Sequence, residues 1–137
     1  MKKSKLVMIG NGMAGVRTLE ELLKIAPDLY DITVFGAEPH PNYNRILLSP
    51  VLAGEQTLDE IILNDWSWYT ENGIHLHAGC TVDTVDRVRR VVHATDAAGA
   101  VISAEYDRLI LATGSNPFIL PIAGHGLDGV LAYRDIA

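Results

Sequence analysis

Lys5-Leu6-Val7-Met8-Ile9-Gly10-Asn11-Gly12-Met13-Ala14-Gly15 is an apolar run that ends in three glycines spaced Gly-x-Gly-x-x-Gly. A strand that turns into a helix over so few residues needs a backbone free of side-chain clash at the turn, and Gly10 supplies it. Gly12 leaves the chain bare, so that N–H groups at the helix start can approach phosphate oxygens, and Gly15 lets the helix pack hard on the strand. Met13 and Ala14 lie at the helix start, where free backbone donors and the helix dipole favour an anion. The pattern fits the pyrophosphate of a dinucleotide. Taken alone it is also compatible with an ordinary glycine-rich turn, so its surroundings must decide.

Downstream, small or apolar residues recur at Gly15, Leu19, Leu22, Leu23 and Ala26, the spacing of one helix face. Arg17, Glu20, Glu21 and Lys24 fall on the other side, with Arg17/Glu21 and Glu20/Lys24 set for i, i+4 pairing. Pro27-Asp28 ends the helix, and Asp31–Ala37 reads as a second strand, apolar enough for burial on both faces. Strand, helix and strand form a βαβ unit, whose crossover is expected to be right-handed. Glu38 closes the unit 23 residues after Gly15, where a carboxylate accepts hydrogen bonds from ribose hydroxyls and repels a 2′-phosphate. An exposed loop acid is the alternative reading.

The chain has 137 residues, of which 48% are hydrophobic and 20% charged, which suits one globular domain with a real core. A net charge of −6 and the lack of a basic stripe argue against nucleic acid as a partner. Lys2, Lys3 and Lys5 precede an apolar segment, but the glycines and Arg17 interrupt it, so a secretory signal is not expected. No apolar run reaches the roughly 18 residues of a membrane span. The single cysteine, Cys80, excludes an internal disulfide or dithiol site in these residues. A cytoplasmic location is the expectation.

Pro39–Pro50 reads as a loop leading to a short helix that ends near Leu52. Thr57-Leu58-Asp59-Glu60 has the capping-box pattern, which makes Glu60 a structural cap. Asp65–Tyr69 predicts a short helix ending near Asn72-Gly73, its aromatics expected mainly in the core, with stacking on a flavin or base as the alternative. Ile74–Ala78 reads as a parallel strand. Thr81–Val85, Arg90–Ala94 and Val101–Ala104 alternate as a small antiparallel meander. Tyr106–Gly114 reads as a buried strand returning to the main sheet.

Gly10–Gly15, Glu38 and Asp107-Arg108-Leu109-Ile110-Leu111-Ala112-Thr113-Gly114-Ser115-Asn116-Pro117 together resemble the FAD-binding half of the two-dinucleotide-binding-domain flavoproteins, the pyridine nucleotide-disulfide oxidoreductase-like family. Within that family, Tyr43–Glu55 looks most like the large subunit of assimilatory NAD(P)H-dependent nitrite reductases. The resemblance implies an α/β, Rossmann-like three-layer domain with a central parallel sheet and a small antiparallel meander. It implies FAD as the cofactor, bound by Gly10, Gly12, Met13, Ala14, Gly15, Glu38, Arg45, Ser49, Val82, Ala112, Thr113 and Gly114. Arg45 matches an arginine that approaches the FAD pyrophosphate; pairing with an acid such as Glu38 is the alternative. Pro50 stands where ferredoxin and rubredoxin reductases have a lysine near the flavin, which removes that donor and argues against an ordinary ferredoxin reductase.

In the resembled family, an NAD(P)H-binding domain and a returning FAD segment follow. Residues 1–137 are therefore expected to be an incomplete FAD-binding domain, not active alone, whose partner is the remainder of a large subunit and, in some assemblies, a small subunit. Iron–sulfur and sirohaem centres are implied for the full-length enzyme, outside this segment. No residue here is expected to act as a catalytic acid, base or nucleophile. A rubredoxin or ferredoxin reductase, an NADH oxidase and a non-catalytic nucleotide-binding module are the competing readings. His75, His77 and Cys80 offer at most a partial ligand set, so no metal is expected. His125 reads as a loop residue and Cys80 as a buried small residue.

Overall fold

The computed structural model describes residues 2–136. Strand β1 (Ser4–Ile9) runs into helix α1 (Met13–Ile25), and β2 (Tyr30–Gly36) follows. An excursion carries a 3₁₀ turn (Arg45–Leu47), α2 (Leu48–Leu52), a second 3₁₀ turn (Asp59–Ile61) and α3 (Trp66–Glu71). Then come β3 (His75–Ala78), β4 (Cys80–Asp86), β5 (Val91–Asp96), β6 (Val101–Glu105) and β7 (Arg108–Leu111). Strands β3-β2-β1-β7 form a parallel sheet and β4-β5-β6 an antiparallel one.

Alternation along β1 explains the layering, because successive side chains of a strand point to opposite faces. Leu6 and Met8 join Ile32 and Val34 under Val16 and Leu19 of α1, with Tyr69 of α3. Val7 and Ile9 face the other way and pack with Phe35 against Val92 and Ala94 of the meander. The sheet is thus covered by helices on one side and by the meander on the other, giving the expected three layers. A satellite core of Tyr43, Leu48 and Ile61, with Ile136 packed against it, holds the excursion together.

Local signals act as their chemistry dictates. Arg17 pairs with Glu21 at 2.8 Å on the exposed side of α1. Lys24, however, turns to Glu21 at 2.9 Å, three residues back, instead of Glu20. Thr57 Oγ1 and the Glu60 carboxylate close the capping box, with the Glu60 N–H donating to Thr57 Oγ1 at 3.4 Å. Asp65 caps α3, accepting from the Trp68 N–H at 3.0 Å.

Two expectations need correction. Strand β7 pairs with β1 as anticipated, but it forms the edge of the parallel sheet and is not buried: Leu111 is 67% exposed. Its apolar run marks a strand without saying what covers it. Of the aromatics near α3, Tyr69 is buried and Trp68 packs edge-on against it at 5.0 Å, whereas Trp66 is 52% exposed and lies outside the core. Trp66 opens α3, on the solvent side of the first turn.

Candidate dinucleotide site at the glycine loop

The three glycines have three different reasons to be glycine. Gly10 has φ +106° and its N–H donates to the Phe35 carbonyl at 2.8 Å. A Cβ there would lie 2.0 Å from the Ala112 carbonyl oxygen, so Gly10 is demanded by both backbone conformation and contact with the end of β7. A Cβ on Gly15 would lie 2.9 Å from both Ala112 Cβ and Met8 Sδ, which is the close helix–strand packing expected. At Gly12 a Cβ would meet nothing within 4 Å. The space over Gly12 is open at the start of α1, which has no side-chain cap and no acidic residue in its first turn. An anion would find bare backbone donors there and no competing carboxylate in the first turn.

Ala112 N–H donates to the Ile9 carbonyl at 2.8 Å, continuing the β1–β7 pairing and bringing Ala112, Thr113 and Gly114 beside the loop. Gly114 has φ +70°, and a Cβ there would sit 3.4 Å from Arg134 Nη2. Met13 is half-buried and Ala14 exposed on the first turn of α1.

Glu38 ends the βαβ unit as a two-sided acceptor. Arg45 Nη2 donates to Oε1 and the Tyr43 hydroxyl donates to Oε2, each at 2.6 Å. The Glu38 main-chain carbonyl accepts from the Gly79 N–H at 3.1 Å, which fixes the residue to the β3–β4 turn. Asn44 Oδ1 accepts from the Ile46 N–H and so starts the 3₁₀ turn that begins with Arg45. Arg45 also donates through Nη1 to the Arg134 carbonyl at 2.8 Å, and its guanidinium lies 5.0 Å from the centre of the Tyr43 ring. Burial works against the Arg45 charge, but the Glu38 hydrogen bond and charge outweigh it and the guanidinium is held more firmly protonated than usual. Burial, followed by the bond to Glu38, pushes the Tyr43 phenol well above its ordinary range, so it remains a donor.

The structure therefore brings the glycine loop, Ala112–Gly114 and the Glu38–Arg45 pair to the same end of the parallel sheet. Ser49 is exposed at the first turn of α2, while Val82 on β4 packs partly into the meander-side core. Sequence reasoning missed Tyr43, which was legible only as an aromatic two residues before Arg45. It also missed Asn11, Asn42 and Tyr69, which form a buried polar network, and Arg134. His75 pairs with Asp31 at 3.3 Å and His77 stacks on Phe35 at 4.9 Å. Cys80 is buried, and burial raises its thiol. Among the described residues no group of three His, Cys, Asp or Glu is placed to hold a metal ion. Among the same residues no helix is long and apolar enough to cross a membrane.

Residues 4–137 match the family described as pyridine nucleotide-disulphide oxidoreductase. The chain belongs to this family. As a pyridine nucleotide-disulphide oxidoreductase it is 57% identical over 136 residues to a protein of Bacillus subtilis (strain 168) named nitrite reductase [NAD(P)H]. It is 52% identical, again over 136 residues, to the assimilatory nitrate reductase electron transfer subunit of the same organism. Both alignments take in 99% of this chain but only 16% and 17% of the relatives' lengths. The family's Rossmann-like fold is also seen in the ferredoxin reductase for the CYP199A2 system of Rhodopseudomonas palustris, with a TM-score of 0.82 and 24% identity. That match covers 97% of this chain and 32% of the solved one.

Proposed function

We propose that residues 1–137 are part of the FAD-binding domain of an NAD(P)H-dependent nitrite reductase large subunit. The observation that carries the cofactor assignment is the open space over Gly12 at the same end of the parallel sheet as a carboxylate, Glu38, which follows β2. Gly12 and the first turn of α1 would receive the pyrophosphate, and Glu38 would receive the adenine-side ribose hydroxyls through lone pairs left free by Tyr43 and Arg45. Arg45 would add positive charge beside the phosphates while keeping Glu38 oriented. When bound, the flavin would supply hydride acceptance from NAD(P)H and single-electron release towards iron–sulfur and sirohaem centres that reduce nitrite to ammonium. The residues of this chain bind and orient; none is required to move a proton. The nitrite reductase assignment rests on the 57% identity to the Bacillus protein of that name.

The second reading is a reductase that delivers electrons to a separate acceptor, favoured by the 52% identity to a nitrate reductase electron transfer subunit. Flavin-fluorescence titration of the purified chain with FAD, set beside calorimetric titration with NAD and ADP, tests the cofactor. FAD is expected to bind more tightly than NAD, and a preference for NAD overturns the assignment. Nitrite-dependent NAD(P)H oxidation by the longer gene product separates the two enzymatic readings.

A further inference from the structure

Tyr69 is 2% exposed on α3, yet its hydroxyl is fully used. It donates to Asn11 Oδ1 at 2.7 Å and accepts from the Asn42 N–H at 3.1 Å. Asn11 lies between the two glycines that open the loop, and Asn42 lies on the segment that joins Glu38 to Arg45. Asn11 Nδ2 in turn donates to the His40 carbonyl at 3.3 Å, and Asn11 Cβ packs so closely on Gly36 that a Cβ there would lie 2.8 Å away. The polar atoms of the Asn11 side chain are thus engaged by His40 and Tyr69.

Packing alone does not explain this arrangement. A phenylalanine would fill nearly the same volume without the cost of dehydrating a hydroxyl. The network extends further into the core, where Asn42 Nδ2 donates to Asn64 Oδ1 at 2.9 Å. A buried polar network fixes the relative geometry of the segments it joins.

We infer that Tyr69 is a positioning residue for the dinucleotide site, latching the glycine loop through Asn11 to the Glu38–Arg45 segment through Asn42. The inference rests on the FAD reading, because it assigns the latch to keeping a phosphate-facing loop and a ribose-facing carboxylate at a set separation. The hydroxyl touches neither group; it acts through the Asn11 side chain and the Asn42 main chain that it joins.

Tyr69→Phe and Asn11→Ala remove the same hydrogen bond from its two ends and leave Gly12, Glu38 and Arg45 in place. Amide hydrogen exchange without ligand is expected to speed up about tenfold over residues 10–15 and 40–44 in Tyr69→Phe, with β1 and β2 unchanged. The dissociation constant for FAD is expected to rise about tenfold in Tyr69→Phe, and the loss in the double variant, which also lacks the Asn11–His40 bond, is expected to fall short of the sum of the two single losses. Unchanged exchange in the loop, uniformly faster exchange over the whole domain, or faster exchange with unchanged FAD affinity each overturns the inference. Should Tyr69→Phe fail to fold, Asn11→Ala decides by the same readouts. Failure of the unmutated longer gene product to bind FAD would count against the proposed function, while the exchange data would still decide whether the latch exists.

Discussion

Arg45 Nη2 donates to Glu38 Oε1 across 2.6 Å, and both side chains are a little over a quarter exposed. At that depth an ion pair is only partly screened, and removing one partner leaves the other partly desolvated and unpaired. Arg45 further holds the Arg134 carbonyl, so its loss reaches the stretch that carries Arg134 and Ile136.

Glu38→Ala is therefore expected to lower stability by about 1–2 kcal/mol and to weaken FAD binding by more than tenfold. Arg45→Met should produce a similar loss of stability but retain the Tyr43 bond to Glu38. Urea unfolding and flavin-fluorescence titration measure the two effects. Glu38→Ala with unchanged FAD affinity would remove Glu38 from the ribose site and leave it as a structural acid.

Gly10 and Gly12 are expected to respond oppositely to alanine. Gly10→Ala forces a Cβ onto the Ala112 carbonyl at φ +106° and should unfold the domain or cost it at least ~3 kcal/mol. Gly12→Ala meets no protein atom and should change stability by less than about 1 kcal/mol, yet weaken FAD binding at least tenfold by filling the space assigned to the phosphate. Thermal melts paired with FAD titration separate the two. A Gly12→Ala variant that binds FAD normally would show that the open space is not the phosphate site.

This contrast also marks what sequence could reveal. The glycine spacing announced a strand–turn–helix because turn geometry is local, and the apolar run Asp31–Ala37 predicted a strand buried on both faces because such a run is local too. Glu38 was legible from its distance to Gly15, and pairing with Arg45 could be entertained from proximity. The hydroxyl of Tyr69 was not legible, since its partner Asn11 lies 58 residues away and an aromatic at helical spacing reads first as core. Nor was the exposure of β7, because an apolar strand has the same pattern in the middle of a sheet and at its edge.

Beyond β7 the chain displays Phe118, Leu120, Ile122 and Leu131 to solvent, Phe118 at 79%. Large apolar side chains left in water favour association. The chain in isolation is expected to bind an environment-sensitive apolar dye and to self-associate as its concentration rises, both reduced by combined Phe118→Ser and Leu131→Ser substitutions. Sedimentation velocity checks the second effect. Monomeric behaviour of the unmutated chain at high concentration would contradict it.

His77 supplies a pH dependence whose sign follows from its position against Phe35. Burial, assisted by neighbouring His75, lowers its folded pKa below the ordinary 6.5. Above about pH 6.5 the imidazole is neutral in both folded and unfolded chains and contributes no pH slope. As pH falls below that value the unfolded chain takes up the proton first, so stability drops until the folded pKa is passed. His77→Phe keeps the stack on Phe35 and removes the proton site. The wild-type chain is expected to lose more stability than this variant between about pH 7 and pH 5, read as the difference in urea midpoints. Parallel pH profiles for the two proteins would mean that His77 is protonated as readily folded as unfolded, and the stacked, half-buried imidazole would then have no part in acid sensitivity.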